Sequence, residues 1–154
     1  MSFVIRDARA GECAALADAV AEQPLLRRYE VEAVKLAIHL EAALARGDGV
    51  VVIEDRGRAA GFAWFLPEGT FAAGGYLKLI ALAPGSEGRG LGGALLDEVE
   101  RRVALASRAL FLLVSHWNEG ARRFYAERGY SEVGRLPAFV RVDTDEIICM
   151  KRLR

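Results

Sequence analysis

The sequence predicts an α/β fold, a mixed central β-sheet of about seven strands flanked by about four helices. Three observations carry this expectation. Runs of β-prone residues and helical periodicities follow one another along the whole chain. One run, Ala109–Ser115, is continuously apolar, as a strand buried on both faces requires. No repeat, low-complexity segment or linker divides the 154 residues, and 53% of them are hydrophobic, enough for one core without disulfides or a structural metal. Residues 1–154 are therefore expected to form a single domain.

Phe3–Arg6 is a short β-prone run, the first strand. Ala10–Ala21 reads as a helix with Leu16 and Val20 on one face, interrupted by Pro24. A second helix is expected from about Tyr29 to Arg46, with Val34, Ile38 and Ala42 as its buried stripe, stopped by Gly47-Asp48-Gly49. Val50–Ile53 and Gly61–Leu66, joined across Asp55-Arg56-Gly57-Arg58, read as an antiparallel hairpin. Pro67–Gly75 is a Gly- and Ala-rich loop, and Tyr76–Leu82 is another strand. Leu91, Leu95, Val99 and Val103 recur every four residues, the mark of an amphipathic helix. After the buried strand, Gly120–Arg128 is a short helix ended by Gly129, and Tyr130–Leu136 and Glu146–Leu153 are the last strands.

Charge and cysteine usage narrow the function. Lys plus Arg and Asp plus Glu both total 21, a balance that argues against holding nucleic acid through a general basic surface but leaves room for a local basic groove. Cys13 and Cys149 stand far apart and outside any CxxC pair, which suits buried free thiols in a reducing compartment better than zinc or redox chemistry. No segment approaches the roughly 20 apolar residues that span a bilayer, and no basic stretch precedes an apolar one at the N-terminus. A cytoplasmic protein without a membrane partner is expected.

The segment richest in chemistry is Leu79–Leu96, where a buried strand enters a turn with Gly88, Gly90, Gly92 and Gly93 and a helix begins. Glycines let the backbone approach a ligand closely, and the unpaired amides of a helix start sit at the positive end of its dipole. Four glycines in six residues are costly in chain entropy for a turn that only packs, and they favour a phosphate or pyrophosphate site. A Walker-type loop would need Lys and then Ser or Thr after the last glycine, where Ala94 and Leu95 stand. Gly88-x-Gly90-x-x-Gly93 also fits a dinucleotide fingerprint, but the carboxylate expected roughly 20 positions on is missing from Leu112–His116.

The third reading is specific. Pro84 followed by Glu87-Gly88-Arg89-Gly90-Leu91-Gly92 resembles the coenzyme A signature Gln/Arg-x-x-Gly-x-Gly/Ala of the GNAT superfamily of N-acetyltransferases. Farther on, Asn118, Ala121, Phe124, Tyr125, Gly129 and Tyr130 match the family's second motif, Asn-x-x-Ala-x-x-Phe-Tyr-x-x-x-Gly-Phe/Tyr, in identity and spacing. With the flanking elements, the resemblance extends over essentially the whole chain. One departure is Glu87, a carboxylate where the family has Gln or Arg, which would repel a pyrophosphate unless it turns away.

The resemblance implies a GNAT-like domain using acetyl-CoA as co-substrate. It implies that main-chain amides of Gly88, Arg89, Gly90, Leu91, Gly92 and Gly93 hold the pyrophosphate. The backbone of Leu82 would pair with the pantetheine arm and polarise the thioester carbonyl. Asn118 would cap its helix and reach the same arm, and Phe124 would enter the core. Tyr125 would be the general acid for the leaving thiolate, or else only a tunnel wall. The reaction implied is transfer of an acetyl group to a primary amine of a small molecule, amino acid, peptide or protein, by direct attack in a ternary complex. The family also forms homodimers, although no feature of the sequence demands one. For the base, the usual carboxylate on the strand before the turn is replaced by Tyr76 and Lys78, leaving Glu68, His116, Asp145 and Glu146 as alternatives. The weakness of these base candidates and Glu87 are what a non-catalytic acyl-CoA sensor would show. A nucleotide-dependent oxidoreductase would need the absent ribose carboxylate.

Overall fold

The computed structural model describes residues 2–154. One seven-stranded sheet runs through the chain in the order β1-β2-β3-β4-β5-β7-β6. Its strands are β1 (Phe3–Asp7), β2 (Gly49–Asp55), β3 (Arg58–Thr70), β4 (Gly74–Leu82), β5 (Ala109–Ser115), β6 (Ser131–Arg141) and β7 (Thr144–Arg152). Every pairing is antiparallel except β4 with β5, where the crossover helix α4 (Leu91–Val103) requires parallel strands.

Helices α1 (Cys13–Val20), α2 (Pro24–Arg28) and α3 (Ala33–Arg46) precede β2, and α5 (Glu119–Glu127) follows β5. Among the described residues five helices thus stand where about four were expected, because Pro24 does not merely end α1. It opens α2 at the first helical position, where its missing N–H costs nothing. The buried stripe of α3 is Leu36, Leu40 and Ala43, not Val34, Ile38 and Ala42. Val34 and Ile38 are 72% and 61% exposed. Both sets share helical spacing, and only packing against α1 and the sheet chooses between them.

Two cores lie on opposite faces of the sheet. Leu91, Leu95, Val99 and Val103 of α4 fill one with Tyr125, Leu110 and Leu112. Leu16 and Val20 of α1 and Leu40 of α3 fill the other with Phe62 and Trp64. The β2–β3 hairpin closes through Arg56 and Gly57, both at positive φ, as a two-residue hairpin turn demands. The expected loop Pro67–Gly75 is mostly strand, since β3 continues to Thr70 and β4 resumes at Gly74. β6 likewise runs past Leu136 to Arg141. Cys13 and Cys149 are buried free thiols.

Candidate active site

A β-bulge creates the site. Trp64 lies opposite Leu79 and Phe65 opposite Leu77, so Lys78 is an extra residue in β4. Pairing of β4 with β5 runs from Gly74–Ala109 to Leu77–Leu112 and stops at that bulge. Beyond it β4 stays with β3 as far as Gly61–Leu82, while β5 stays with β7 as far as Ser115–Glu146. The two central strands therefore part. The Ala83 amide donates to the Ala60 carbonyl on β3, so strand alternation turns the Leu82 backbone the other way, into the gap. The Leu82 N–H, which has no strand partner there, is a ready donor to an extended amide-bearing ligand.

The glycine turn adjoins this gap. Gly90 sits at φ 81° as the N-cap of α4, with no side-chain cap, and Gly88 sits at φ 74°. Intrahelical bonding starts with the Ala94 amide on the Gly90 carbonyl, leaving the amides of Leu91, Gly92 and Gly93 without helical acceptors. A Cβ at Gly88 or Gly90 would meet nothing within 4 Å. A Cβ at Gly92 would lie 3.8 Å from Leu82 Cδ1 and 4.0 Å from Phe124 Cζ, which ties the turn to both motifs. Gly93 has a packing duty as well: the Arg128 guanidinium occupies the space of its missing side chain, over the Phe124 ring and paired with Asp97. Leu91 is buried in the core and Arg89 is paired with Asp55, so each presents only main chain to a ligand.

Glu87 turns away from the turn's amides. Its Oε1 accepts from Gln23 Nε2 at 2.7 Å and its Oε2 from the Gly85 amide at 2.9 Å. These bonds, Gln23 foremost, hold the Glu87 carboxyl below its ordinary range. Gln23 Nε2 also donates to the Leu82 carbonyl at 2.6 Å. Gln23, at the α1–α2 junction, was invisible as a site residue in the sequence because its partners lie 59 and 64 positions away.

Asn118 is the N-cap of α5, its Oδ1 accepting from the Ala121 amide at 3.1 Å. Tyr125 is 7% exposed. Phe124 and Tyr130 flank it edge-on, at centroid distances of 5.2 and 5.5 Å. Burial, above all, raises its phenol well above the ordinary range, so it stays protonated. Phe124 packs against the core as a partly buried side chain.

Asn118 and Tyr125 line a cavity of about 590 Å³ that spans the gap and extends under α2 and α3. Leu82 and the glycine turn lie outside its lining. Of the four candidate bases, only Glu146 lines it. Glu68 is exposed at the end of β3. His116 Nδ1 accepts from the Asp145 amide at 3.0 Å, and Asp145 is engaged by Arg135 and the Ala138 amide. Glu146 Oε2 accepts from Tyr29 Oη at 2.9 Å and Ser115 Oγ at 3.3 Å, and the two hydroxyls also touch. Burial, chiefly, raises the Tyr29 and Tyr76 phenols, and the Glu146 charge adds to both.

The family model of the acetyltransferase (GNAT) family matches residues 14–130. The chain belongs to that family. It is an N-acetyltransferase, and acetyl-CoA is its acyl donor. A protein assigned to the GNAT acetyltransferases from Desulfovibrio desulfuricans is 28% identical, with 99% of this chain and 100% of that chain covered and a TM-score of 0.84. Two further structures share the fold. One is an acetyltransferase-like protein from Salmonella typhimurium solved with acetyl-CoA, 21% identical over 100% and 95% of the two chains, TM-score 0.76. The other is a ribosomal-protein-alanine N-acetyltransferase from Brucella melitensis, 24% identical over 97% and 99%, TM-score 0.76. No helix among the described residues is long and apolar enough to cross a membrane.

Proposed function

We propose that this acetyltransferase acts as a single domain that moves the acetyl group of acetyl-CoA onto a primary amine by direct attack within a ternary complex. The observation that carries this reading is the parting of β4 from β5 beside the unpaired amides of α4, with Tyr125 at the cavity beyond. In it, amides from Gly88 to Gly93 hold the pyrophosphate, with Arg89 and Leu91 contributing main chain alone. The Leu82 backbone takes the pantetheine arm, and its N–H polarises the thioester carbonyl. Asn118 keeps α5 in place and borders the same arm.

Tyr125 gives its proton to the departing thiolate, whose solution pKa is about 8.5 by analogy with cysteine. Burial makes a free phenolate at Tyr125 unfavourable, so donation to sulfur is coupled to uptake of a proton from the acceptor nitrogen as the amide forms. A non-catalytic acyl-CoA sensor would keep the donor site and lack proton-transfer groups; Tyr125 at the cavity speaks against it, and Glu87, held by Gln23 and Gly85, lends it little support. The Brucella relative's name specifies a protein amine, in keeping with an amine acceptor here. A cytoplasmic location fits two free thiols and an acetyl-CoA donor.

Free-thiol release from acetyl-CoA, followed with a panel of primary amines, tests the reading. Amine-dependent release that falls roughly 10²-fold or more in Tyr125→Phe, with donor affinity kept, is the expected result. Absence of amine-dependent release would refute acyl transfer, and a Tyr125→Phe protein at full rate would refute the general acid.

A further inference from the structure

We propose that Glu146 receives the acceptor: its carboxylate, positioned by Tyr29 and Ser115, binds the ammonium group of a primary amine carried on an apolar body and takes a proton from it. The proposal rests on the acyl-transfer reading above and names the residue and the substrate class that the acceptor side requires.

Burial without a counter-charge is the first ground. Glu146 is 5% exposed, yet no ion pair among the described residues includes it. Carboxylates are seldom buried without a cation, because desolvation is costly. Its only donors are two neutral hydroxyls, and both reach Oε2. Oε1 accepts nothing from the protein, yet no fully buried side-chain oxygen among the described residues lacks a partner. Oε1 is therefore not fully enclosed, and Glu146 lines the cavity.

The surroundings state what fits there. The other charged side chains of the cavity, Glu30, Glu32, Lys35 and Lys78, are exposed, so Glu146 is its one buried charge among the described residues. Leu25, Leu26, Leu36, Trp64, Leu79 and Val140 supply apolar wall. A cationic head against Oε1 with an apolar body along that wall satisfies both, and about 590 Å³ limits the acceptor, or the part of it that enters, to a modest size. Tyr29 reaches in from the end of α2, tilted against Trp117 at 6.2 Å between ring centroids. It is a positioning residue, as is Ser115, Glu146's register partner across β5 and β7.

The step balances. The ammonium passes one proton to Glu146, and the freed nitrogen lone pair forms the N–C bond at the thioester carbonyl. The C–S bond breaks, sulfur takes the Tyr125 proton, and the second nitrogen proton returns to Tyr125. Glu146 then releases its proton to solvent, so each amide formed liberates one proton.

Calorimetry on the CoA-saturated protein with n-hexylamine and n-hexanol, alongside thiol release with n-hexylamine and acetyl-CoA, provides the test. Glu146→Gln keeps an oxygen for Tyr29 and Ser115 and should retain acetyl-CoA affinity. It should bind n-hexylamine at least about tenfold more weakly than wild type, the worth of a charge-assisted bond, with n-hexanol unaffected. Its kcat/KM should fall by about 10²-fold or more, Glu146→Asp should recover part, and Tyr29→Phe should lose less. Equal n-hexylamine affinity in wild type and Glu146→Gln, or equal loss of n-hexanol, overturns the proposal. So does a wild type that binds acetyl-CoA but not n-hexylamine. Failure of wild type to bind acetyl-CoA would instead overturn the acyl-transfer reading.

Discussion

Replacing Gly61 by alanine would disturb the donor strand at Leu82 while leaving every predicted ligand-binding residue unsubstituted. Gly61 lies opposite Leu82 in the β3–β4 ladder. An added Cβ would stand 2.5 Å from the Ala81 carbonyl oxygen and 3.1 Å from Leu82 Cα. Both are backbone atoms, so no rotamer change relieves the contact. The shorter distance is roughly 1 Å inside comfortable van der Waals range, and β4 must shift by a comparable amount at Leu82. Overpacking of this kind costs about 1–3 kcal/mol, a fall of roughly 3–10 °C in Tm for a chain of this size. The same shift moves the Leu82 amide away from the thioester carbonyl, and a misplacement near 1 Å lowers turnover by up to about 10²-fold. Calorimetric melting and amine-dependent thiol release measure the two effects. A Gly61→Ala protein with wild-type turnover and a clearly lowered Tm would refute the role given to Leu82. An unchanged Tm would refute the packing argument itself.

Other consequences are more local. Asn118→Ala removes the α5 cap, and thermal unfolding should show a loss of about 1 kcal/mol. Glu87→Gln removes a negative charge beside the proposed pyrophosphate site. Calorimetry should show acetyl-CoA binding tightened a few-fold, the ~0.3–1 kcal/mol such charges carry at a helix start. Arg101 first, then Arg102 against the opposing effect of burial, lowers the Glu98 carboxyl to about 2. Its folded value is depressed, so its contribution is complete above the ordinary carboxylate range and is lost as pH falls towards 2. Glu98→Gln should therefore flatten the acid limb of the stability–pH curve, read by denaturant unfolding between those limits.

Much of this molecule is written in local patterns. The α4 stripe from Leu91 to Val103, the apolar run of β5 and the hairpin turn across Asp55-Arg56-Gly57-Arg58 need only near neighbours, and all three were legible. What was not legible depends on partners distant in sequence. The face of α3 is chosen by α1 and the sheet, and the two apolar stripes of α3 look alike until these pack on one. Pro24 reads equally as an ending or a beginning, and the bulge at Lys78 exists only in the register of β4 against β3. In the site, the glycine turn and the Asn118–Tyr130 motif are contiguous in sequence and so could be read. Glu146 could be named only as one carboxylate among several, since its distinction is the meeting of α2, β5 and β7 around it. Gln23 gave no local signal at all.

The most direct test of the central claim is a calorimetric titration of acetyl-CoA into wild type and Gly92→Glu. A Cβ at Gly92 meets only ordinary contacts at Leu82 and Phe124, and the backbone there is not at positive φ, so the variant should fold. Its carboxylate would enter the proposed pyrophosphate site at the start of α4. Binding by wild type and its loss in a folded Gly92→Glu protein is the predicted result. A folded wild type that does not bind acetyl-CoA, or a variant that binds it equally well, would contradict the account.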